Sequence, residues 1–334
     1  MADYGHEKTD ELLKELEKRV ASAYKDARSD LQTIITAYFE QFKKRDAQQQ
    51  ELLKQGKITP QEYKQWRLAQ IGRGERFKAM RDQVAERMTN ANEVAVAYLN
   101  DNTPSVYSLN RNYTAYTIEQ MKGNIGFTLY DEATVRRLLV EQPDIMPNYP
   151  EKRAVRRGID LAYGKKQITK TVTRGILQGS SLKRMAKDLE ARITEMGHAS
   201  AVRAIRTATT AAECAGRQDS YLQATDMGIK VRKRWRATKD GRTRHEHGAA
   251  DGQIVPANKP FEVGGFKMMY PAEPSAPAHL VYNCRCTVET VDDAAVEPRQ
   301  MRVRDPAAGR NVLVNEMTYT EWERWVKERG NNSK

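Results

Sequence analysis

The sequence predicts an α+β protein, in which a long, mainly helical N-terminal body is followed by a small β-rich module. Apolar residues recur every three or four positions through much of residues 9–227, which is the spacing of amphipathic helices. From residue 228 the pattern changes to alternation with short turns, which is typical of strands. The predicted segments are residues 1–100, long helices that dock a partner; 101–227, a mixed loop and helical body; 228–292, the α+β module; and 293–334, a tail with a short helix.

The first hundred residues are predicted to be nearly all helix. Residues 9–55 have one narrow apolar stripe, which suits a helical hairpin or a helix laid against a partner. Gly56 ends this helix, and Thr59, Pro60 and Glu62 form a capping box that starts the next one. A third helix is predicted over about residues 75–100. The stripe of the first helix consists of Leu13, Leu16, Val20, Tyr24, Ala27, Leu31, Ile35, Tyr38 and Phe42.

The middle of the chain is predicted to be mixed. Residues 101–116 are rich in Asn, Tyr and Ser, which favour turns over helix interiors, so we expect loops there. A short helix follows at residues 131–141, and then a proline-rich loop to residue 150. Helices return over residues 151–227, where Ser180 or Ser181 caps one helix and Cys214 is expected to be a small buried residue.

The module at residues 228–292 carries the strand signals. In the first strand, alternation predicts that Val231, Lys233, Trp235 and Ala237 point one way and that Arg232, Arg234, Arg236 and Thr238 point the other. A Gly-Gly hairpin is expected at residues 264–265. The segment "HLVYNCRCTVETV", residues 279–291, is predicted to be one strand, with both of its cysteines on the apolar face.

Composition narrows the functional class. The chain has 334 residues, 56 Lys and Arg against 44 Asp and Glu, and a formal charge of +12, which favours phosphate or an acidic partner or simply keeps the surface soluble. No stretch has the apolar length of a signal peptide or a membrane span. Three cysteines make a secreted disulfide framework a poor expectation. The protein is therefore expected to be made in a cytosol-like space, without a membrane partner.

Cys284 and Cys286 allow three interpretations: a metal site, a redox pair or small buried residues. Their predicted separation in a strand, about 7 Å, is at the edge of disulfide reach. A tetrahedral zinc site formed by His245, His247, Cys284 and Cys286 is the metal alternative, with His279 lying just before the cysteines. The spacing of one residue between the thiols, with no Gly or Pro bend, argues against zinc. The sequence therefore favours buried cysteines and no cofactor.

A basic stretch surrounds Trp235. Residues 230–244 hold eight basic residues against one acidic residue, and a second basic cluster lies at residues 151–166. We expect Arg232, Lys233, Arg234 and Arg236 to contact a nucleic-acid backbone, and a solvated strand face or an internal arginine network is the alternative. No nucleophile and base stand in a recognisable motif, so no catalytic residue is predicted and the chain is not expected to be an enzyme.

The C-terminal module resembles a known family. Its pattern closely resembles the C-terminal domain of phage Mu F-type head morphogenesis proteins. The matching residues are Trp235, Asp240, Arg242, Thr243, Arg244, His247, Asp251, Gly252, Tyr270, Pro271, Asn283, Cys284, Arg285 and Cys286. Upstream segments such as "GKITPQEYKQW" and "AIRTATTAAECAGRQDSY" look like minor capsid proteins of phages of Gram-positive bacteria. His245 stands where relatives often have another residue, so a site with two histidines is not implied by the family.

The resemblance implies a minor head protein that enters the procapsid with the portal, stays inside the head near it, and affects genome packaging or ejection. The implied partners are the portal protein, the major capsid or scaffolding protein and genomic double-stranded DNA, with the host cytoplasm as the place of assembly. It also implies a module related in fold to ADP-ribosyltransferases, with no activity assigned to the motif residues. The alternatives are a nucleic-acid-modifying or ADP-ribosyltransferase-like enzyme and a zinc-stapled binding module.

Overall fold

The computed structural model describes residues 3–72, 74–123, 125–150, 161–291, 300–305, 307–315, 317, 321–322, 324–325 and 328–329. It confirms the α+β class, with long helices first and small antiparallel sheets after them. The helices are α1 (Tyr4–Lys54), α2 (Pro60–Gly72), α3 (Glu75–Lys122), α4 (Glu132–Glu141), α5 (Leu161–Leu177), α6 (Leu182–Asp226), α7 (His245–Ala250) and α8 (Ala278–Val281). The strands are β1 (Arg232–Arg236), β2 (Ile254–Pro256), β3 (Phe261–Val263), β4 (Phe266–Met268), β5 (Thr287–Val291), β6 (Gln300–Asp305) and β7 (Arg310–Asn315).

The chain divides into two compact units, which differ from the four predicted segments. Unit 1 comprises residues 1–13, 101–150 and 206–334, and unit 2 comprises residues 14–100 and 151–205. The predicted boundary at residue 100 is also a boundary between units. The division at residue 205 falls inside α6, and the second half of this helix belongs to unit 1 together with the β-rich module. No helix among the described ranges is long and apolar enough to cross a membrane.

Unit 2 contains the predicted helices of the first hundred residues. Most of the apolar stripe of α1 is buried, with Leu31 and Ile35 almost fully covered, and Leu13, Ala27 and Tyr38 are half-buried. Tyr38 makes an edge-on contact with Phe77 of α3. The capping box at the start of α2 is present: the Thr59 amide donates to Glu62 at 2.7 Å, and the Glu62 amide donates to the Thr59 hydroxyl at 3.1 Å. The stripe and the cap are therefore confirmed.

The prediction of loops at residues 101–116 was wrong, because α3 continues to Lys122 through Pro104. Tertiary contacts occupy the side chains that would otherwise bond to their own backbone and favour turns. Asn110 donates to the Thr9 hydroxyl at 2.7 Å, and Asn112 donates to the Tyr130 carbonyl at 2.8 Å. The short helix that follows, α4, is where it was predicted.

The sheet of unit 1 is antiparallel, in the order β2-β1-β5. Its central strand β1 pairs Arg234 with Ile254 on one side and with Glu289 on the other. The predicted alternation is confirmed, since Val231, Lys233, Trp235 and Ala237 are buried and their neighbours in the strand are not. The Gly-Gly hairpin between β3 and β4 is also present.

The segment from residue 279 to residue 291 is not a single strand. Residues 278–281 form α8, Asn283 adopts a left-handed conformation with φ 55°, and only residues 287–291 are extended in a strand. The turn at Asn283 interrupts the alternation, and Tyr282 is consequently exposed rather than buried. The β6–β7 hairpin was not anticipated in the tail. The described residues of the predicted tail helix, between 321 and 329, are helical.

A buried guanidinium connects the parts of unit 1. Arg217 on α6 donates to both carboxylate oxygens of Asp3 at 2.7 and 2.8 Å, to the Val288 carbonyl at 2.8 Å and to Asn110 at 3.2 Å. One turn earlier, Glu213 accepts from the Thr287 hydroxyl at 2.6 Å and contacts His6 at 2.9 Å. The residues around Arg217 thus join the start of α1, α3, α6 and β5.

The charges in this group shift each other's protonation. Burial lowers the pKa of His6, but the nearby charge of Glu213 and the hydrogen bond to it have the larger combined effect and raise this pKa to about 9. Burial raises the pKa of Glu213, and the charges of His6 and Arg217 outweigh it and leave this pKa below its usual value. The group is therefore charged near neutral pH, with each charge facing an opposite one.

Gly216 marks the closest approach of two helices in unit 1. A Cβ atom at this position would lie 2.4 Å from the Tyr107 carbonyl oxygen and 3.2 Å from the Arg111 amide nitrogen, both of them backbone atoms of α3. Only glycine permits this approach, because backbone atoms cannot rotate away as a flexible side chain can.

We therefore expect Gly216→Ala to destabilise the protein by about 1–3 kcal/mol, the range for forcing extra volume into a packed site. Thermal unfolding followed by circular dichroism measures this as a lower Tm. Gly164→Ala is the matched control: its Cβ would lie 3.7 Å from the Ala85 Cβ, and helix propensity favours alanine. Equal Tm values for the two variants would contradict the close packing of α3 on α6.

Candidate functional site

His247, Cys284 and Cys286 form a buried cluster in the β-rich module. The His247 Nδ1 atom lies 3.3 Å from the Cys286 Sγ and 3.6 Å from the Cys284 Sγ. All three ligand atoms lie within 4.8 Å of one another, and all three residues are buried. The other ring nitrogen of His247, Nε2, has no hydrogen-bond partner among the described residues. The His247 ring meets the Trp235 ring edge-on, with centroids 5.7 Å apart.

A short helix and a turn bring these residues together. The one-turn helix α7 directs His247 inward, and its neighbour His245 is exposed. Next to the cysteines, the left-handed turn at Asn283 is stabilised by a hydrogen bond. The Asn283 amide donates to the Thr207 hydroxyl at 3.0 Å. The Thr210 hydroxyl then donates to the Cys284 carbonyl at 2.8 Å. Both cysteines are buried as predicted, but a turn places them there and not a strand.

The four residues of the alternative zinc site do not all come together. Of its members, His247, Cys284 and Cys286 come together, whereas His245 is exposed and is not in the cluster. The exposed His279 lies against the Phe266 ring, with centroids 6.0 Å apart, and is not in the cluster either. A helical segment at residues 245–250 turns His245 and His247 apart, while an extended strand would have kept them on one face.

The thiols of the cluster differ in acidity. The hydrogen bond between the two thiols and the contact with His247 hold the pKa of Cys284 below its usual range. The same thiol–thiol contact, together with burial, raises the pKa of Cys286. Cys214 is a separate buried thiol, and its Sγ donates to the Cys286 carbonyl at 3.8 Å. The structure thus confirms that Cys214 is buried.

The arginine and aspartate of the family motif pair with each other. Arg285 binds both carboxylate oxygens of Asp240, at 2.5 and 2.9 Å, and this hydrogen bonding holds the pKa of Asp240 well below its usual value. Asp240 also accepts from the Arg242 amide at 2.9 Å. The Thr243 hydroxyl donates to the Thr238 carbonyl, and the Arg244 guanidinium donates to the Tyr282 carbonyl. These contacts connect the loop at residues 240–244 to residues 282–286, which contain the turn at Asn283 and both cysteines and are called the cysteine turn below.

The remaining motif residues lie around β1. Trp235 is fully buried, and its amide and carbonyl pair with Gln253 and Gly252 at 2.9 and 3.0 Å. Gly252 has φ 79°, a conformation that favours glycine. Asp251 accepts from the Ala237 amide at 2.8 Å. These motif residues therefore contact one another and build the module.

The basic strand is only partly available to a ligand. Arg232 is exposed, and Arg234 and Arg236 approach the carboxylate of Glu289 at 3.9 and 3.3 Å. Lys233 was wrongly included among the nucleic-acid contacts: it is fully buried and donates to Gln218 at 2.7 Å and to the Met269 carbonyl at 2.8 Å. Burial lowers its pKa to about 7. The alternating pattern of β1 in the sequence had already predicted that Lys233 lies on the same face as Trp235. In the second basic cluster, residues 151–160 lie outside the described residues.

Sequence reasoning missed the group around Arg217, which includes Asp3, His6 and Glu213. The Asp3–Arg217 bond joins residues 214 positions apart, and neither residue belongs to a motif. Tight small-residue packing in α6 was visible in the sequence, but it identifies no partner. Nothing in the local pattern could have indicated this contact.

We expect a double-mutant cycle on Arg285→Ala and Asp240→Ala to give a coupling energy of about 1 kcal/mol, because the pair is bidentate and about one-third exposed. Denaturant unfolding of the two single variants and the double variant measures it. Arg184 and Asp188 are the control pair, since they are 3.9 Å apart and exposed on one helix, and their coupling should stay below about 0.5 kcal/mol. Equal coupling in the two pairs would contradict a structural role for the motif pair.

Comparisons with known proteins agree with the motif. The family model described as "Phage Mu protein F like protein" matches residues 166–289. The minor head protein GP7 of Bacillus phage SPP1 is 25% identical over 325 residues, which cover 95% of this chain and 95% of GP7. The NAD(+)–arginine ADP-ribosyltransferase EFV of Enterococcus faecalis is 28% identical over 226 residues, 64% of this chain but only 45% of that protein. No solved structure matches significantly.

The match covers β1, the 240–244 loop, α7 and the cysteine turn. The motif residues lie in these elements and connect them. Residues 166–289 therefore resemble the phage Mu protein F-like family, and over nearly its whole length the chain is similar to a phage minor head protein.

Proposed function

We propose that the chain is a minor head protein of a bacteriophage, with a structural role in head morphogenesis. The observation that carries this proposal is the similarity to the SPP1 minor head protein, which spans 95% of both chains and so includes the helical body as well as the module. A family match confined to the module would have left the body unexplained.

The chemistry of the motif supports a structural role over a catalytic one. Trp235, His247 and both cysteines are buried, and Arg285 is engaged with Asp240. These groups contact each other. A substrate would have to displace packed side chains to reach them.

The second candidate function is ADP-ribosyl transfer, favoured by the similarity to the Enterococcus faecalis enzyme. This chain covers less than half of that enzyme, so the similarity does not place the enzyme's activity in the shared part. Transfer of labelled ADP-ribose from NAD to a protein by the purified chain would favour this second candidate over the structural one.

We infer that the protein enters the head together with the portal, lies inside the head near it, and takes part in packaging or delivery of the genome. The long helices of unit 2 present extended faces for partner proteins, with the portal first and the capsid or scaffolding protein next. Assembly takes place in the host cytoplasm.

Co-expression with the portal of its own phage should give a complex that co-elutes in size exclusion, and imaging of purified heads should show the chain next to the portal. An unrelated portal is the control and should elute separately. Heads that lack the chain, combined with no complex with the cognate portal, would overturn this inference.

The outer face of β1 is proposed to contact packaged DNA through Arg232, Arg234 and Arg236. Glu289 approaches two of these arginines, so binding requires them to exchange a carboxylate for a phosphate. A guanidinium makes this exchange without losing its charge, because both groups accept bidentate hydrogen bonds.

Replacing the three arginines by alanine should weaken DNA binding at low salt and reduce the slope of log K against log salt by up to about 3. Fluorescence anisotropy with a duplex at several salt concentrations measures both quantities. The control replaces the exposed Lys14, Lys18 and Lys25 of α1 by alanine, which removes the same net charge from a helix instead of the strand. If both variants lose the same affinity and slope, binding follows overall charge and the strand is not the DNA contact.

A further inference from the structure

We propose that His247, Cys284 and Cys286 bind a zinc ion that joins α7 to the cysteine turn. Two thiolates and an imidazole are ligands that zinc takes in proteins, and here they converge from two separate parts of the module. The two parts are otherwise joined by the contacts of the 240–244 loop and by packing on Trp235.

The distances between the ligand atoms fit a tetrahedral ion. With a Zn–S bond of about 2.3 Å and a Zn–N bond of about 2.05 Å, adjacent N and S ligands stand about 3.6 Å apart. The observed separations from His247 Nδ1 are 3.3 Å to Cys286 and 3.6 Å to Cys284. The two N–S separations are therefore close to their metal-bound spacing, and all three ligand atoms lie within 4.8 Å of one another.

The charge of the complex suits a buried position. When zinc binds, each thiol releases its proton to solvent, and the two thiolates balance the charge of the dication. The imidazole binds in its neutral form, so the site has no net charge. A buried site without net charge avoids the large cost of placing an isolated ion in the interior. The three residues are 1–3% exposed, so this condition matters here.

A simple thiol–imidazole hydrogen bond explains the cluster less well. Nδ1 has one lone pair and can accept from only one of the two thiols, although both lie within contact distance. Nε2 has no partner among the described residues, so the buried ring would make fewer hydrogen bonds than buried polar groups usually do. Coordination to one ion engages Nδ1 and both sulfurs at once, whereas a hydrogen bond engages Nδ1 and one sulfur.

The three residues leave one position of a tetrahedral ion open. Within the described ranges, no other His, Cys, Asp or Glu joins the cluster. A water molecule completes the coordination. The ion acts as a staple, because its ligands come from positions 247 and 284–286, which are far apart in the chain.

The test is metal analysis of the full-length chain, expressed with zinc and purified under reducing conditions without chelator. We expect about one zinc per chain by inductively coupled plasma mass spectrometry. Exchange with cobalt should add thiolate-to-cobalt charge-transfer absorption in the near ultraviolet, a signal that needs no activity and reports sulfur ligation directly. Chelation should lower the Tm, because an ion that binds only the folded state stabilises it.

Matched variants assign the ion to the cluster. Cys284→Ser and His247→Gln should lower the zinc content severalfold, whereas Cys214→Ser and His245→Ala should retain it, since Cys214 is a buried thiol and His245 a neighbouring histidine outside the cluster. Where a cluster variant fails to fold, the cobalt spectrum of the unmodified chain still decides. A folded, reduced chain that contains no zinc and takes up neither zinc nor cobalt would overturn the proposal, as would equal zinc loss in the cluster and control variants.

Discussion

The buried Arg217 guanidinium is the interaction on which unit 1 depends. It bonds to the carboxylate of Asp3, to the carbonyl of Val288 and to Asn110, so that one side chain connects three helices and a strand. Removing a partner from a buried charge costs more than the bond itself is worth, because the remaining charge stays in a poorly solvating interior. The position of β5, and with it the cysteine turn that precedes it, therefore depends on residues at the beginning of the chain.

The motif that identifies the family has a structural explanation in this protein. Asp240 and Arg285 pair, Trp235 forms the centre of the core, and His247 meets the cysteines. These are long-range contacts between short elements and the loops that connect them. A module built from strands of three to six residues needs such contacts, since short strands alone bury little surface. The same residues can thus recur in proteins with different roles.

Local patterns predicted the elements whose cause is local. The stripe of α1, the cap at Thr59 and the alternation in β1 each follow from spacing within a few residues, and the structure contains all three. The continuation of α3 through Pro104 and the turn at Asn283 depend on partners elsewhere in the chain. Burial of both cysteines was predictable from their apolar neighbours, whereas the approach of His247 was not, because the helix that directs it inward is only six residues long. Lys233 shows that charge alone does not indicate a surface position.

The contact between Asp3 and Arg217 has a consequence for the order of synthesis. All residues of unit 2 have been translated by residue 205, so this unit is complete in sequence while unit 1 is still missing its strands. Asp3, by contrast, binds Arg217, which also binds the Val288 carbonyl. This group of contacts cannot form until residue 288 has been translated. At the usual bacterial pace of elongation, this delay is about 15–60 s. During that time the start of α1 remains in solution, and its many charged residues disfavour aggregation.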